Sequence, residues 1–210
     1  MNCSSTIWIG SFHCPRPASA DWVDQVGSQL PVSWLSRIHN YTCLSDKVLS
    51  IGGKWLLREG LGRMGIAADQ IGELHYPPGC RPVLVDHPTV RFSIAHSNEW
   101  AVCVVGLDVE VGIDIEIQKS RALGPLCRFF APAEWEQIEL SPDPLSLFYR
   151  YWVSKEAIIK AANSVSIDRF DTIDTSGLTP ISNSQRWYLT PIMIHPSYTC
   201  WLSSNKPVLI

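Results

Sequence analysis

The sequence predicts an α+β fold of two comparable halves that divide near Gly106. Three observations carry this expectation. Residues 44–63 and 143–162 are patterned as helices, residues 90–95, 100–107 and 111–117 are patterned as strands, and strand-like runs return after the last helix. With 210 residues and 46% apolar character, the chain can bury one large core or two small ones.

The elements follow in chain order. Ile7–Phe12 is a short strand candidate within a mixed first 42 residues. From Leu44 to Arg63, Val48, Ile51, Trp55 and Leu56 fall near one helical face, although Gly52-Gly53 argue against an unbroken helix. "HYPPGCRP", His75 to Pro82, is a loop by its prolines and glycine. Val83–Val85 is a short strand. Val90–Ala95 alternates, with Val90, Phe92 and Ile94 on one side, and Trp100–Leu107 is a more fully apolar strand. Val111–Ile117 alternates cleanly: Val111, Ile113, Ile115 and Ile117 point one way, and Gly112, Asp114 and Glu116 the other. A helical region starts near Ala131-Pro132 and includes Glu134. The next has Asp143 as N-cap and Pro144 in its first turn, and runs to about Ala162. "RWYLT" (Arg186–Thr190) and "YTCWLS" (Tyr198–Ser203) read as strands.

Composition narrows the function. The net charge is −3 and no block rich in arginine or lysine occurs, so nucleic acid is not an expected partner. The start, "MNCSSTIWIGSF", does not read as a signal peptide, and no apolar run is long enough to span a bilayer, so no membrane association is expected. Seven cysteines are scattered without a C-x-x-C pair, which indicates neither a disulfide framework nor a zinc site. Cys103 is expected as a small buried hydrophobe, and a reducing, cytoplasmic compartment is the simplest home.

Acidic residues recur in "VVGLDVEVGIDIE", Val104 to Glu116. Asp108 and Glu110 fall between two strands and read as a solvated hairpin turn. Asp114 and Glu116 share one strand face, about 7 Å apart, which suits two oxygen ligands on one hard cation. The competing reading is a solvent-facing acidic edge. In "YWVSKEAIIKAA", Trp152, Glu156 and Lys160 stack one turn apart, while Lys155 points about 140° away from Lys160. An exposed Glu–Lys pair is the plain alternative, but surrounding aromatics and isoleucines argue for burial and pairing. His96 follows a strand and opens the turn Ser97-Asn98-Glu99, where a histidine is usually structural or solvated.

Together these segments resemble the 4′-phosphopantetheinyl transferase superfamily, and within it the longer, surfactin-synthetase-activating type. Val111-Gly112-Ile113-Asp114-Ile115-Glu116 matches its aliphatic-G-aliphatic-D-aliphatic-E strand. Trp152 to Lys160, "WVSKEAIIK", matches its W-x-x-K-E-[AS]-x-x-K helix. "RFFAPAEW", "RFSIAHS" and "GCRP" resemble further segments of the family, in the right order. The resemblance is clear from about Gly79 to Ala162 and faint over the first 45 residues.

The resemblance implies two similar α/β halves, residues 1–105 and 106–210, related by pseudo-twofold symmetry with the active site in the cleft between them. It implies a monomer that moves the phosphopantetheine arm of coenzyme A, the co-substrate, onto a serine of an apo acyl or peptidyl carrier protein. Asp114, Glu116 and Glu156 would hold Mg²⁺, with Mn²⁺ as an alternative. Glu156, Lys160 and Asp114 would be catalytic. Arg81, Pro82, His96, Lys155, Lys160 and Lys47 would contact coenzyme A, Arg81 at its 3′-phosphate. Three departures stand out: Ala95 replaces a serine, Leu49 stands near a family arginine with Lys47 as its substitute, and "ANSVS" (162–166) replaces glycines. The competing function is a non-catalytic coenzyme A or carrier-binding protein of the same fold. An unrelated Mg²⁺-dependent phosphotransferase lacks support, because no G-x-x-x-x-G-K-[ST] loop occurs.

Overall fold

The computed structural model describes residues 6–14, 18–36, 38, 41–163 and 167–209. Cys3 and the Ser164-Val165-Ser166 part of "ANSVS" lie outside the described residues. The chain runs β1 (Ile7–His13), α1 (Ala20–Gly27), α2 (Val32–Leu35), α3 (Leu44–Arg63), β2 (Leu74–His75), β3 (Val83–Leu84) and β4 (Val90–Ser97). It continues through β5 (Trp100–Leu107), β6 (Val111–Ile117), α4 (Pro132–Leu140) and α5 (Pro144–Ala161). The last strands are β7 (Ile181–Ser182), β8 (Gln185–Arg186), β9 (Tyr188–Pro191) and β10 (Tyr198–Ser204). Among the described residues no helix is long and apolar enough to cross a membrane.

Two short helices occupy the stretch read as mixed. α1 is capped by Ser19, whose hydroxyl accepts from the Trp22 amide at 3.3 Å. Its Val23 and Val26 pack on the core that encloses Trp34 of α2. Ser19 followed by Asp21 was a legible start signal; the helix is only too short for its period to stand out.

Two three-stranded antiparallel sheets form the frame, in the orders β1-β5-β4 and β6-β10-β9. α3 lies unbroken on the first sheet. Its glycines are contact points: a Cβ on Gly52 would strike the Phe12 ring, and one on Gly53 would strike Ile94. They let helix and sheet approach closely rather than ending the helix.

The expected hairpin between β5 and β6 does not form. β5 is paired along its length on both edges, with β1 from Ile7↔Gly106 to His13↔Trp100 and with β4 from Val90↔Leu107 to Ser97↔Trp100. No edge remains for β6, which crosses over and pairs with β10 from Tyr198↔Ile117 to Ser204↔Val111. Asp108 turns the chain in the left-handed region (φ 53°).

The alternation in β6 holds. Val111, Ile113 and Ile115 are buried in a cluster with Val102, Val104 and Leu202, between the two sheets. Hydroxyls of β4 stitch the joint: Ser93 Oγ accepts from the Ile113 amide at 3.2 Å, and Ser97 Oγ from the Ile117 amide at 3.1 Å. On the other face of β6, Gly112 lies against the backbone of α5 at Ala157 and Ala161, where any Cβ would collide. Gly112→Ala should therefore lower stability by about 1–3 kcal/mol in urea unfolding, since the clash is with backbone that cannot step aside.

Candidate functional site

β6 and α5 bring the charged residues together. α5 begins where Asp143 accepts from the Ser146 amide at 3.0 Å, with Pro144 in its first turn. Its seat on Gly112 puts Glu156 and Lys160 beside Asp114 and Glu116 of the next pleats. Lys160 Nζ donates to Asp114 Oδ1 at 2.5 Å. Asp114 is only 3% exposed, so it is not part of a solvent-facing acidic edge. Its other oxygen, Oδ2, is buried with no hydrogen-bond partner.

The charges read one another. Burial, and then the Asp114 carboxylate beside it, pushes the Glu156 carboxyl up to about 8. Burial and Asp114 also raise Glu116, against the pull of a Ser97 hydroxyl that donates to its Oε2 at 2.7 Å. Burial works against the Lys160 ammonium, yet Asp114, with Glu156 and Glu116, holds its pKa above the ordinary lysine value. Three carboxyl groups face one ammonium, and burial and mutual repulsion hold a proton on Glu156 near neutral pH; a divalent cation would relieve that repulsion and take the proton's place. Among the described residues, no three His, Cys, Asp or Glu side chains are clustered as a ready-made metal cage. The chemistry of the donors still fits Mg²⁺: they are hard oxygens, and one of them is buried and unpartnered. Glu116 and Glu156 open onto a cleft of about 520 Å³ that Ser97, Arg121, Tyr149 and Trp152 also line.

The other expected site residues divide. His96 lies at the exposed end of β4, within electrostatic reach of Lys160 and Asp114. Partial burial, then Lys160, lowers its pKa, with Lys54 acting the same way and Asp46 opposing. Lys47 lines a separate groove under α1 with Val23, Asp24 and Ile51. Lys155 is not at the site: it is fully buried, and its Nζ donates to Glu134 Oε2 (2.6 Å) and to the carbonyls of Phe170 (2.6 Å) and Ile173 (2.5 Å). Glu134 also accepts from the Thr175 amide and hydroxyl at 2.7 and 2.9 Å. This closed network fastens α5 to α4 and leaves Lys155 no donor to offer a ligand.

Arg81 and Pro82 sit in the loop between β2 and β3. Arg81 Nη2 pairs with Glu110 Oε2, Nη1 donates to the Ala161 carbonyl at 3.3 Å, and the Arg81 amide donates to Asn163 Oδ1 at 2.7 Å. Glu110 is thus not a solvated turn residue. Its other oxygen accepts from Arg91 Nε at 2.8 Å, so it clamps two arginines. The clamp walls a cavity of about 760 Å³ that none of Asp114, Glu116, Glu156 and Lys160 lines. Residue spacing did not reveal this pairing, because Arg81 and Glu110 are neighbours only in the fold. Arg121 and Ser97, missed as well, carried a weak signal: each lies within five residues of a singled-out acid or histidine.

The family model of the 4′-phosphopantetheinyl transferase superfamily matches residues 110–209, which include all four charged groups. The 4′-phosphopantetheinyl transferase HetI of Nostoc is 33% identical over 154 residues, 70% of this chain and 64% of its own. The mouse L-aminoadipate-semialdehyde dehydrogenase-phosphopantetheinyl transferase is 29% identical over 170 residues, 73% of this chain and 54% of its own. A 4′-phosphopantetheinyl transferase of Bacillus subtilis is 30% identical over 173 residues, which cover 77% of this chain and 74% of that protein. The chain belongs to the 4′-phosphopantetheinyl transferase superfamily. The chain spans less than two thirds of the Nostoc and mouse relatives.

Within this transferase-family chain, two lysines five residues apart have different duties, and stability separates them. Lys155→Met should cost about 3–5 kcal/mol in urea unfolding, because it strands the buried Glu134 carboxylate. Lys160→Met should cost less, because its side chain is 34% exposed and the Asp114 carboxylate it leaves behind can share the proton of the neighbouring Glu156 carboxyl. The Glu110 clamp has a pH signature. Burial would raise the Glu110 pKa, but hydrogen bonds from Arg91 and Arg81 outweigh it and hold the carboxyl below its ordinary 4.5. A depressed folded pKa gives stability that is complete above the unfolded value and lost as pH falls through the folded one. The urea-midpoint gap between wild type and Glu110→Gln should therefore be full above about pH 5 and close progressively in more acidic buffer.

Proposed function

We propose that the protein transfers the 4′-phosphopantetheine arm of coenzyme A to a serine of an apo acyl or peptidyl carrier protein, with Mg²⁺, releasing adenosine 3′,5′-bisphosphate. The observation that carries this reading is the buried Asp114 oxygen without a partner, set among Glu116, Glu156 and Lys160. An acidic group with an unsatisfied buried oxygen suits a hard cation and a pyrophosphate together.

In this reading the serine Oγ attacks the phosphorus that bears the pantetheine arm. A new O–P bond forms, the pyrophosphate O–P bond breaks, and the electron pair leaves on adenosine 3′,5′-bisphosphate. Mg²⁺, or Mn²⁺ in its stead, held by Asp114, Glu116 and Glu156, would supply positive charge against the pyrophosphate oxygens. Glu156 takes the serine proton, directly or through a water. Lys160, kept protonated by its carboxylate neighbours, leaves Asp114 to neutralise the departing phosphate. His96 supplies a further phosphate contact, and Pro82 borders the nucleotide. The carrier presents its acidic helix to exposed Lys119, Arg121 and Arg128, beside Leu123, Leu126 and Phe129.

The finer features belong to the same reading: the surfactin-synthetase-activating, holo-carrier-synthase type, two halves (1–105 and 106–210) about a pseudo-twofold axis, a monomer, and a cytoplasmic home. A non-catalytic coenzyme A or carrier-binding role has Ala95 and Leu49 on its side, both of them buried aliphatic residues. Lys160 and the three carboxylates weigh against it, since binding alone does not call for that charge set.

Mass spectrometry of an apo carrier incubated with the protein, coenzyme A and Mg²⁺ tests the proposal. The carrier should gain one phosphopantetheine; no gain with several carriers would refute transfer. Asp114→Ala should abolish the gain and Asp108→Ala should leave it near normal, whereas loss in Asp108→Ala would place the chemistry on the wrong acidic pair.

A further inference from the structure

Pairing with β10 satisfies one edge of β6. On β4, two buried serines receive amides of β6: Ser93 Oγ accepts from Ile113 and Ser97 Oγ from Ile117. The serines are four residues apart, as the isoleucines are, so each pair shares one strand face. A hydroxyl has one proton to give and two lone pairs to receive. With an amide on one lone pair, the two serines differ in where the proton goes. Ser93 returns it to the Ile113 carbonyl at 3.4 Å, and its contacts close on the backbone. Ser97 gives it to Glu116 Oε2 at 2.7 Å, the length of a hydroxyl on a carboxylate.

Ser97 is itself held in place. The next residue, Asn98, turns the chain at φ 53° and donates through Nδ2 to the Tyr198 hydroxyl at 3.0 Å. Tyr198 of β10 is the register partner of Ile117. The β4–β5 turn is therefore pinned to both β6 and β10 beside Glu116.

Glu116 is the carboxylate of the group that needs such a hold. Asp114 is short, buried and paired with Lys160. Glu156 rides on α5, whose seat on Gly112 sets its height. Glu116 stands next to the last residue of β6, half-buried, on a longer side chain that opens onto the cleft. A free glutamate must give up rotamer freedom before it can ligate. With Oε2 tied to Ser97, the carboxylate is already set, and Oε1 is the oxygen left for a cation.

We propose that Ser97 is a positioning residue of the cation site. It receives the Ile117 amide, directs its proton to Glu116 Oε2, and so presents Oε1 to Mg²⁺ beside Asp114 and Glu156. The first sheet thereby takes part in a site whose ligands all come from β6 and α5. This assignment rests on the three carboxylates holding the cation, as in the proposed function.

Mn²⁺ binding in the presence of coenzyme A, read from the electron paramagnetic resonance signal of free Mn²⁺, tests the assignment. Ser97→Ala should weaken Mn²⁺ binding by roughly tenfold or more, as for loss of an outer-shell partner of a metal ligand. Ser93→Ala is the control: it also takes the partner from a β6 amide but touches no carboxylate, and should leave Mn²⁺ affinity unchanged. Ser97→Thr keeps the hydroxyl and should bind Mn²⁺ like the wild type. Ser97→Val, equal to threonine in shape, should bind as weakly as alanine. The threonine–valine pair gives the reading if alanine perturbs folding by circular dichroism. Unchanged affinity in folded Ser97→Ala or Ser97→Val, threonine no better than valine, equal weakening in Ser93→Ala, or a wild type that binds no Mn²⁺ would each overturn the assignment. A wild type that shows the whole pattern but transfers nothing to any carrier would contradict the transferase reading alone.

Discussion

The close seat of α5 on β6 at Gly112 is the constraint on which the site depends. With no Cβ at this position, the helix backbone at Ala157 and Ala161 rests directly on the strand. Glu156 and Lys160 belong to the same turns, so this contact fixes their height above Asp114 and Glu116. The opposite face of β6 anchors the strand through Val111, Ile113 and Ile115. A glycine on one face and branched aliphatics on the other thus turn a short strand into a rigid base for four charges.

Rigidity is reinforced at two further points along α5. Near its middle, Lys155 and Glu134 satisfy each other and the carbonyls of Phe170 and Ile173 inside the protein. At its C-terminal end, Arg81 ties the Ala161 carbonyl and Asn163 to Glu110, and Glu110 in turn holds Arg91. These ion pairs are devices of position, and both lie off the reacting group. Neither of them uses Lys160, whose partner is Asp114 and which, in the proposed reaction, would exchange that carboxylate for a phosphate.

Much of this was legible in the sequence because it is local. Period-two alternation marked Asp114 and Glu116 as one face, and period 3.6 aligned Trp152, Glu156 and Lys160 while turning Lys155 away. The ends of α3, β5 and β6 and the Asp143 cap of α5 could be read for the same reason. What failed depended on partners distant in the chain. The turn at Asp108 looked like a hairpin because nothing local says that β1 and β4 already occupy both edges of β5. Glu110 looked solvated because its arginines lie 19 and 29 residues upstream. Gly52-Gly53 looked like helix breakers because the close approach of Phe12 and Ile94 is a tertiary fact. Lys155 sits inside a family-like motif, and only the fold reveals that its partner is Glu134.

In the proposed site, Asp114, Glu116 and Glu156 hold one cation beside Lys160. Anomalous diffraction from crystals grown with coenzyme A and Mn²⁺ tests it most directly. A single strong peak is expected within coordination distance of all three carboxylates, with the Lys160 ammonium moved from Asp114 onto a phosphate oxygen. A peak at Asp108 or Glu110, or Lys160 still bound to Asp114 with coenzyme A in place, would contradict it.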